Sequence, residues 1–304
     1  MGKRFRRRNA TVKSMASLFI LLSCFLFGCV VTPQEQLKPQ TPTKEGYEFV
    51  FGDEFDEDTL NRENWNYQLG VQDDYFGTKG PKYWGNNELE YYTEDAVTVS
   101  GGTMKITACK ESRGDRSYTS GRIVTRDLRS FTYGYFEARM KLPTVSGMWP
   151  AFWLLPQPTD RTSTDNVYGG WATNGEIDIM EARGNDSKSL SGAVHHGGRW
   201  PNNLCNSKGT KVKDSIAEWH TYAIEWTADC LKWYCDDENY FTVPKEEWRC
   251  GDGAKPTPSA PFDQPFYILF NLAVDGGHFG AGDVPEDFTS AQMEVDYVRV
   301  FKRA

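Results

Sequence analysis

The sequence predicts an all-β protein, a sandwich of two stacked, curved antiparallel sheets whose concave face can hold a polymer chain. Three observations predict it. Short runs rich in β-branched and aromatic residues, bounded by Gly, Pro, Asn and Asp, recur from Tyr47 to Phe301. No stretch carries a long amphipathic helical period. The run "PFYILFNLAV" is apolar almost throughout, as a central strand covered on both faces would be.

The elements follow in order. "VTVSGGTMKITACK" reads as a hairpin, with Gly101 and Gly102 supplying the positive φ of a tight turn. "GYFEARMKL" alternates, with Phe136, Ala138, Met140 and Leu142 inward and Glu137, Arg139 and Lys141 outward. "TYAIEW" and "LKWYCD" form two strands joined through Thr227 to Cys230, whose inward alternation makes Trp226 and Trp233 core residues. "MEVDYVRVF" closes the series.

The ends of the chain bound its location. Residues 1–29 carry Lys3, Arg4, Arg6, Arg7, Arg8 and Lys13 ahead of an apolar run, the form of an export signal. Leu26, Phe27, Gly28 and Cys29 resemble a bacterial lipobox, with Phe27 bulkier than usual; an uncleaved membrane anchor is the alternative. Residues 30–46, rich in Pro, Gln, Thr and Lys, read as a flexible linker, and 47–304 as a single domain. The expected location is extracytoplasmic, secreted or anchored at the cell surface, with membrane contact only through the N-terminal segment.

The leader holds six of the 34 basic residues and none of the 42 acidic ones, so the remainder carries a net charge of −14. Such a surface repels polyanions, which excludes nucleic acid as a partner and favours neutral over sulfated or uronic polymers. Cys109, Cys205, Cys230, Cys235 and Cys250 lie outside the leader with no paired C-x-x-C zinc spacing.

The candidate chemistry sits in "GEIDIMEARG". In a strand, residues an even number apart share a face, so Glu176 and Asp178 point together and strict alternation sends Glu181 the other way. A β-bulge between Asp178 and Glu181 shifts the count by one, returning Glu181 to the acidic side and leaving Ile177 and Ile179 in the core. Three carboxylates in a row are costly unless their surroundings separate their protonation states. A solvated strand face is the bland reading. Against it stand Trp149, Trp153, Trp171 and Trp200, apolar walls that raise a carboxyl pKa and offer flat surfaces to sugar rings.

With "GMWPAFWLLP" and "GGWATN" before it and "GAVHHGGRW" after it, this segment resembles the catalytic region of family 16 glycoside hydrolases, in the laminarinase-like branch with its E-x-D-x-x-E motif. "FGDEFD", "WGNNELEYYT", "YTSGRIVTRD", "YGYFEARMKLP", "HTYAIEW", "PFDQPFYILFNLAVDGG" and "MEVDYVRVF" resemble family segments in the family's order, across nearly all of residues 47–302. Met180 distinguishes this branch from the lichenase-like one, which lacks the extra residue. Thr173 and Asn174 depart from the Pro and small residue common in relatives.

The resemblance implies a β-jelly roll with a cleft across its concave face and retaining hydrolysis of a β-linked glucan. By motif position it makes Glu176 the nucleophile, Glu181 the general acid and base, and Asp178 the supporting acid. Trp149, Trp153, Trp171, Arg122, Asn86 and His195 match its sugar-binding and active-site positions, while His196 stands where relatives often carry an aromatic residue. No cofactor is required for catalysis. A structural calcium is implied at Asp296, with backbone oxygen near Gly102; a salt-bridged or solvated Asp296 is the alternative. The expected function is endo-acting hydrolysis of β-1,3-glucans of the laminarin type, extending to mixed β-1,3/1,4 chains, by a monomer whose partner is a neutral β-glucan. A non-catalytic glucan-recognition protein, a transglycosylase and a galactanase of the agarase or carrageenase type are the alternatives.

Overall fold

The computed structural model describes residues 41–73, 82–159, 167–251 and 257–304. The export signal, the lipobox and most of the linker lie outside the described residues. Its strands are β1 (Tyr47–Asp53), β2 (Asn66–Tyr67), β3 (Glu90–Tyr92), β4 (Val97–Ser100), β5 (Thr103–Cys109), β6 (Tyr118–Ser120), β7 (Arg122–Val124), β8 (Gly134–Lys141), β9 (Met148–Pro156), β10 (Glu176–Ala182), β11 (Ser189–Gly197), β12 (Asn203–Lys211), β13 (His220–Trp226), β14 (Cys230–Cys235), β15 (Glu238–Pro244), β16 (Phe266–Val274) and β17 (Ser290–Arg303). No helix among the described residues is long and apolar enough to cross a membrane.

Two sheets stack. One has ten strands, in the order β15-β14-β13-β8-β17-β5-β6-β3, with β1 added on β17 and β4 on β5. The other has seven, in the order β12-β11-β10-β9-β16-β7-β2. The Gly101–Gly102 hairpin forms as expected, with Ser100 opposite Thr103 and φ of 63° and 75° at the two glycines. The apolar run of β16 lies between β9 and β7 with all nine residues buried. One strand pair departs from the antiparallel expectation: β3 and β6 run parallel, because the β4–β5 hairpin carries the chain back along the sheet edge between them.

The core is the seam between the sheets. Phe136, Met140, Ile106 and Met293 meet Phe152, Leu154, Ile177, Ile268 and Phe270, all fully buried. Trp226 and Trp233 are core residues, as their parity predicts. Trp233 also reaches across the seam: its indole N–H donates to the main-chain carbonyl of Asp178 at 2.8 Å. Room for that ring comes from Gly192 on β11, where a Cβ would lie 2.3 Å from the Trp233 ring. A side chain at 192 would displace the tryptophan and take its N–H from the Asp178 carbonyl of β10.

Candidate active site

The bulge foreseen between Asp178 and Glu181 is present. Against β11 the pairs run Glu176–His195 and Asp178–Ala193, then shift to Glu181–Ser191; against β9 they run Asp178–Trp153, then Met180–Phe152 and Glu181–Ala151. Ile177, Ile179 and Met180 are all buried, so two consecutive side chains enter the core where alternation would admit one. Residues directly opposite on antiparallel strands share a face. One row across the concave face therefore reads Arg122, Asn271, Ala151, Glu181 and Ser191, and another Val124, Leu269, Trp153, Asp178 and Ala193. The first acid heads a third row, Glu176, His195 and Cys205.

Each glutamate accepts an indole hydrogen bond. Trp171 Nε1 donates to Glu176 Oε2 and Trp149 Nε1 to Glu181 Oε1, both at 2.9 Å. Trp149 stacks face to face on Phe279, with ring centroids 4.4 Å apart and planes 6° apart. Phe279 is fixed in turn: its carbonyl accepts from Arg183 Nε at 2.7 Å, and the Asp275 carboxylate accepts the backbone N–H groups of Gly277, His278, Phe279 and Ala281. Asp178 is buried, and His195 Nε2 lies 3.4 Å from its Oδ2 and 3.9 Å from Glu176 Oε1. His196, on the opposite face, bonds Asn206 Oδ1 through Nε2 at 2.8 Å, and burial pushes its pKa down.

Burial, and after it the charge of Asp178, raises Glu176 and Glu181 from the usual carboxylate range to about 8 each. The opposing influences are unequal. His195, the Trp171 indole and Arg122 all pull Glu176 down. On Glu181 the Trp149 indole and His195 do so, while the charge of Glu176 pushes it further up. The two acids are coupled, so that whichever is charged first makes the other hold its proton more firmly. Burial lowers the pKa of His195, but its bonds with Asp178 and Cys205 and the charges of Asp178 and Glu176 carry it up to about 12, so it is a cation beside the acids.

The other expected residues form one wall of the cleft. The Arg122 guanidinium lies between the rings of Trp84 and Trp153, 4.5 and 4.8 Å from their centroids, and its Nε donates to Gln68 Oε1 at 2.5 Å. Trp153 Nε1 donates to Asn271 Oδ1 at 2.7 Å, and Asn271 Nδ2 to Tyr92 OH at 3.1 Å. Tyr92 OH donates to Glu88 Oε2, whose Oε1 accepts from Asn86 Nδ2. Half-buried Trp153 and Asn86 are thus tied into one polar chain, and Trp171 stands 38% exposed at the rim. Sequence reasoning missed Asn271, Glu88, Tyr92, Gln68 and Phe279. "NNELEYYT" did hold a signal, since Glu88 and Glu90 share a parity and both are buried.

The profile of the glycosyl hydrolases family 16 matches residues 85–299. The chain belongs to glycosyl hydrolase family 16. It is 39% identical to the glucan endo-1,3-beta-glucosidase A1 of Niallia circulans over 90% of this chain, spanning 41% of that relative's length. It is 36% identical to the beta-glucanase of Rhodothermus marinus, covering 99% of this chain and 96% of the relative. Among solved structures, the laminarinase catalytic domain of Thermotoga maritima superposes with a TM-score of 0.72 at 31% identity, over 86% of this chain and all of that one. The chain is therefore a glycoside hydrolase with the β-jelly roll of the family 16 laminarinases.

Family 16 hydrolysis needs no cofactor, because two carboxyl groups supply both the nucleophile and the proton. The carboxylates expected at a structural calcium site, on Asp296 and in the "DEF" segment, each bond an arginine. Val295 pairs with Met104, which brings Asp296 to the Gly102 turn, but its carboxylate bonds Arg139 Nη1 at 2.5 Å. Glu54 of "DEF" is likewise held by Arg299, at 2.7 and 2.8 Å. Both carboxylates thus have a guanidinium partner in this structure. Among the described residues, the one group of three or more His, Cys, Asp or Glu side chains with metal-ligand spacing is Glu176, Asp178 and His195, inside the active site.

Proposed function

We propose that this chain cuts internal β-1,3 linkages of laminarin-type glucans with retention of anomeric configuration, and that it also accepts mixed β-1,3/1,4 chains. The observation that carries the reading is the bulge that turns Glu176 and Glu181 to one face, each with its own indole donor. The names of the relatives, an endo-1,3-beta-glucosidase, a beta-glucanase and a laminarinase, support the substrate class. Both catalytic glutamates are present, which disfavours a recognition protein without activity.

Glu176, the nucleophile by its position in the family motif, attacks the anomeric carbon while Glu181 protonates the departing glycosidic oxygen. Formation of the glycosyl ester removes the charge of Glu176, one of the influences holding Glu181 protonated. The pKa of Glu181 then falls, and it takes a proton from the incoming water. Asp178 keeps the pair from ionising together and holds His195 against the nucleophile. Trp171 and Trp153 supply faces for the sugar rings, and Asn86 and Arg122 belong to the polar wall beside them. The basic leader and polar spacer support export, with lipidation at Cys29 or an uncleaved anchor.

The test is product sizing on laminarin, curdlan, lichenan, agarose and carrageenan. The expected result is a ladder of oligosaccharides from laminarin and curdlan, shorter digestion of lichenan, and none from the galactans. Glu176→Gln and Glu181→Gln should each lose about 10³-fold or more in reducing-end release. Full turnover by either variant, or cleavage of agarose in preference to laminarin, overturns the reading.

A further inference from the structure

The polar chain behind the cleft wall ends on two buried carboxyl groups, Glu88 and Glu90, and the hydrolytic chemistry uses neither. We propose that these two share a single proton, held on Glu90 and donated to Glu88, and that the pair positions Asn86 and Trp153 for the glucan. The effect on glucan binding rests on the hydrolase reading; the shared proton does not.

Glu88, Glu90 and Tyr92 share a parity in the segment that leads into β3, and all three are buried, Glu88 at 3% exposure and Glu90 at 1%. The donors around them fall short of two carboxylates. Glu88 Oε2 accepts from Tyr92 OH at 3.0 Å and its Oε1 from Asn86 Nδ2 at 3.2 Å. Glu90 Oε2 accepts the backbone N–H of Val274, at the end of β16, at 2.7 Å. Glu90 Oε1 is buried and has no donor among the described residues. The two carboxyl groups are themselves in hydrogen-bond contact. Buried carboxylates in contact cannot both ionise cheaply, and two acceptors bond each other only through a proton between them.

The surroundings put that proton on Glu90. A phenol and an amide both stabilise the charged form of Glu88, whereas Glu90 has one backbone N–H. Burial, and after it the charge of Glu88, pushes Glu90 well above the usual carboxylate range. The other charged or titratable groups nearby are Tyr92 on the same strand and Arg122 on β7, whose charge acts on Tyr92. Asp275, next to Val274, accepts the N–H groups of its own loop. A protonated Glu90 thus gives Glu88 a third partner and fixes its carboxylate for two tasks. One is to hold Asn86 directly; the other is to hold the Trp153 indole through Tyr92 OH and Asn271. Removing the proton sets two like charges in contact and turns Glu88 away from both. Glu176 and Glu181 keep their own indole partners, so the loss falls on KM rather than kcat.

The experiment compares the full-length native protein with Glu90→Gln, which keeps a donor where the shared proton lies, and Glu90→Met, which keeps the bulk without one. The infrared difference spectrum at neutral pH, native minus Glu90→Gln, should show the carbonyl stretch of a protonated carboxylic acid; a carboxylate band in its place overturns the proposal. On laminarin, Glu90→Gln should keep the native KM, while Glu90→Met should raise it at least about tenfold with kcat within about twofold. Equal KM in the two variants, or a fall in kcat as large as the rise in KM, overturns the positioning role. Stability decides the matter even where Glu90→Met fails to fold. An acid neutral in the folded state and ionised in the unfolded one loses stability as pH rises above the usual carboxylate range, so urea titration should show a steeper loss in the native protein than in Glu90→Gln. Parallel losses overturn the proposal. The acid band in a protein that cleaves no glucan leaves the shared proton standing and removes the proposed function instead.

Discussion

Glu176 and Glu181 each accept one indole N–H at 2.9 Å, yet the two ends of β10 hold those indoles in different ways. At the Glu181 end, Trp149 is clamped on Phe279 in a loop whose backbone N–H groups are gathered by Asp275. At the Glu176 end, Trp171 stands at the rim, 38% exposed, and among the described residues its ring makes a tilted contact with His195 at 5.5 Å. The difference matches the tasks of the two acids. A group that donates a proton and later takes one back must hold one position through two steps. The nucleophile moves onto the sugar, and its indole partner is free to follow.

The largest expected effect that separates the two ends comes from removing each indole N–H. Hydrogen bonds to charged groups contribute about 1.5–3 kcal/mol, so Trp149→Phe and Trp171→Phe should each lower kcat/KM by about ten- to a hundredfold. Their pH profiles should part in a defined way. Both indoles lower the pKa of the glutamate they bond, so both variants raise it. Glu181 must be protonated, so Trp149→Phe should carry the alkaline limb of kcat/KM to higher pH. Glu176 must be ionised, so Trp171→Phe should carry the acid limb to higher pH. Equal movement of the same limb in both variants breaks the comparison.

A smaller effect tests what holds the bulge between the two ends. Trp233→Phe leaves the Asp178 carbonyl without its donor, and should destabilise the fold by about 1–3 kcal/mol in urea titration and lower kcat about tenfold. Activity unchanged at full occupancy of the folded state would show that the bulge stands without it. The smallest effect belongs to Phe279→Ala. It should lower kcat a few-fold and shift only the alkaline limb, since Trp149 loses its stacking partner and Trp171 loses nothing.

The bulge was legible in the sequence because parity is a local rule: Glu176, Asp178 and Glu181 cannot share a face in a straight strand, and three acids on a core strand call for an explanation. The central strand β16 was legible for a similar reason, its apolar run leaving no face for water. Contacts fixed by long-range register were not. Trp153 bonds Asn271 across 118 residues of chain and Trp233 bonds Asp178 across 55. The stack of Trp149 on Phe279 and the approach of Cys205 to His195 depend on which strands become neighbours, and periodicity within each strand says nothing of that. Arg139 shows the same limit. Its alternation put it outward, where it takes the carboxylate of Asp296 that the family resemblance had set aside for calcium.

The central claim is that one backbone irregularity brings two carboxyl groups to bear on a single glycosidic bond. Proton NMR of laminarin hydrolysis in its first minutes reads this directly, because the anomeric proton of the new reducing end reports configuration before mutarotation. The account predicts β-configured ends first, as carboxyl groups about 5–5.5 Å apart require. α-Configured ends would place water between the two acids and contradict it.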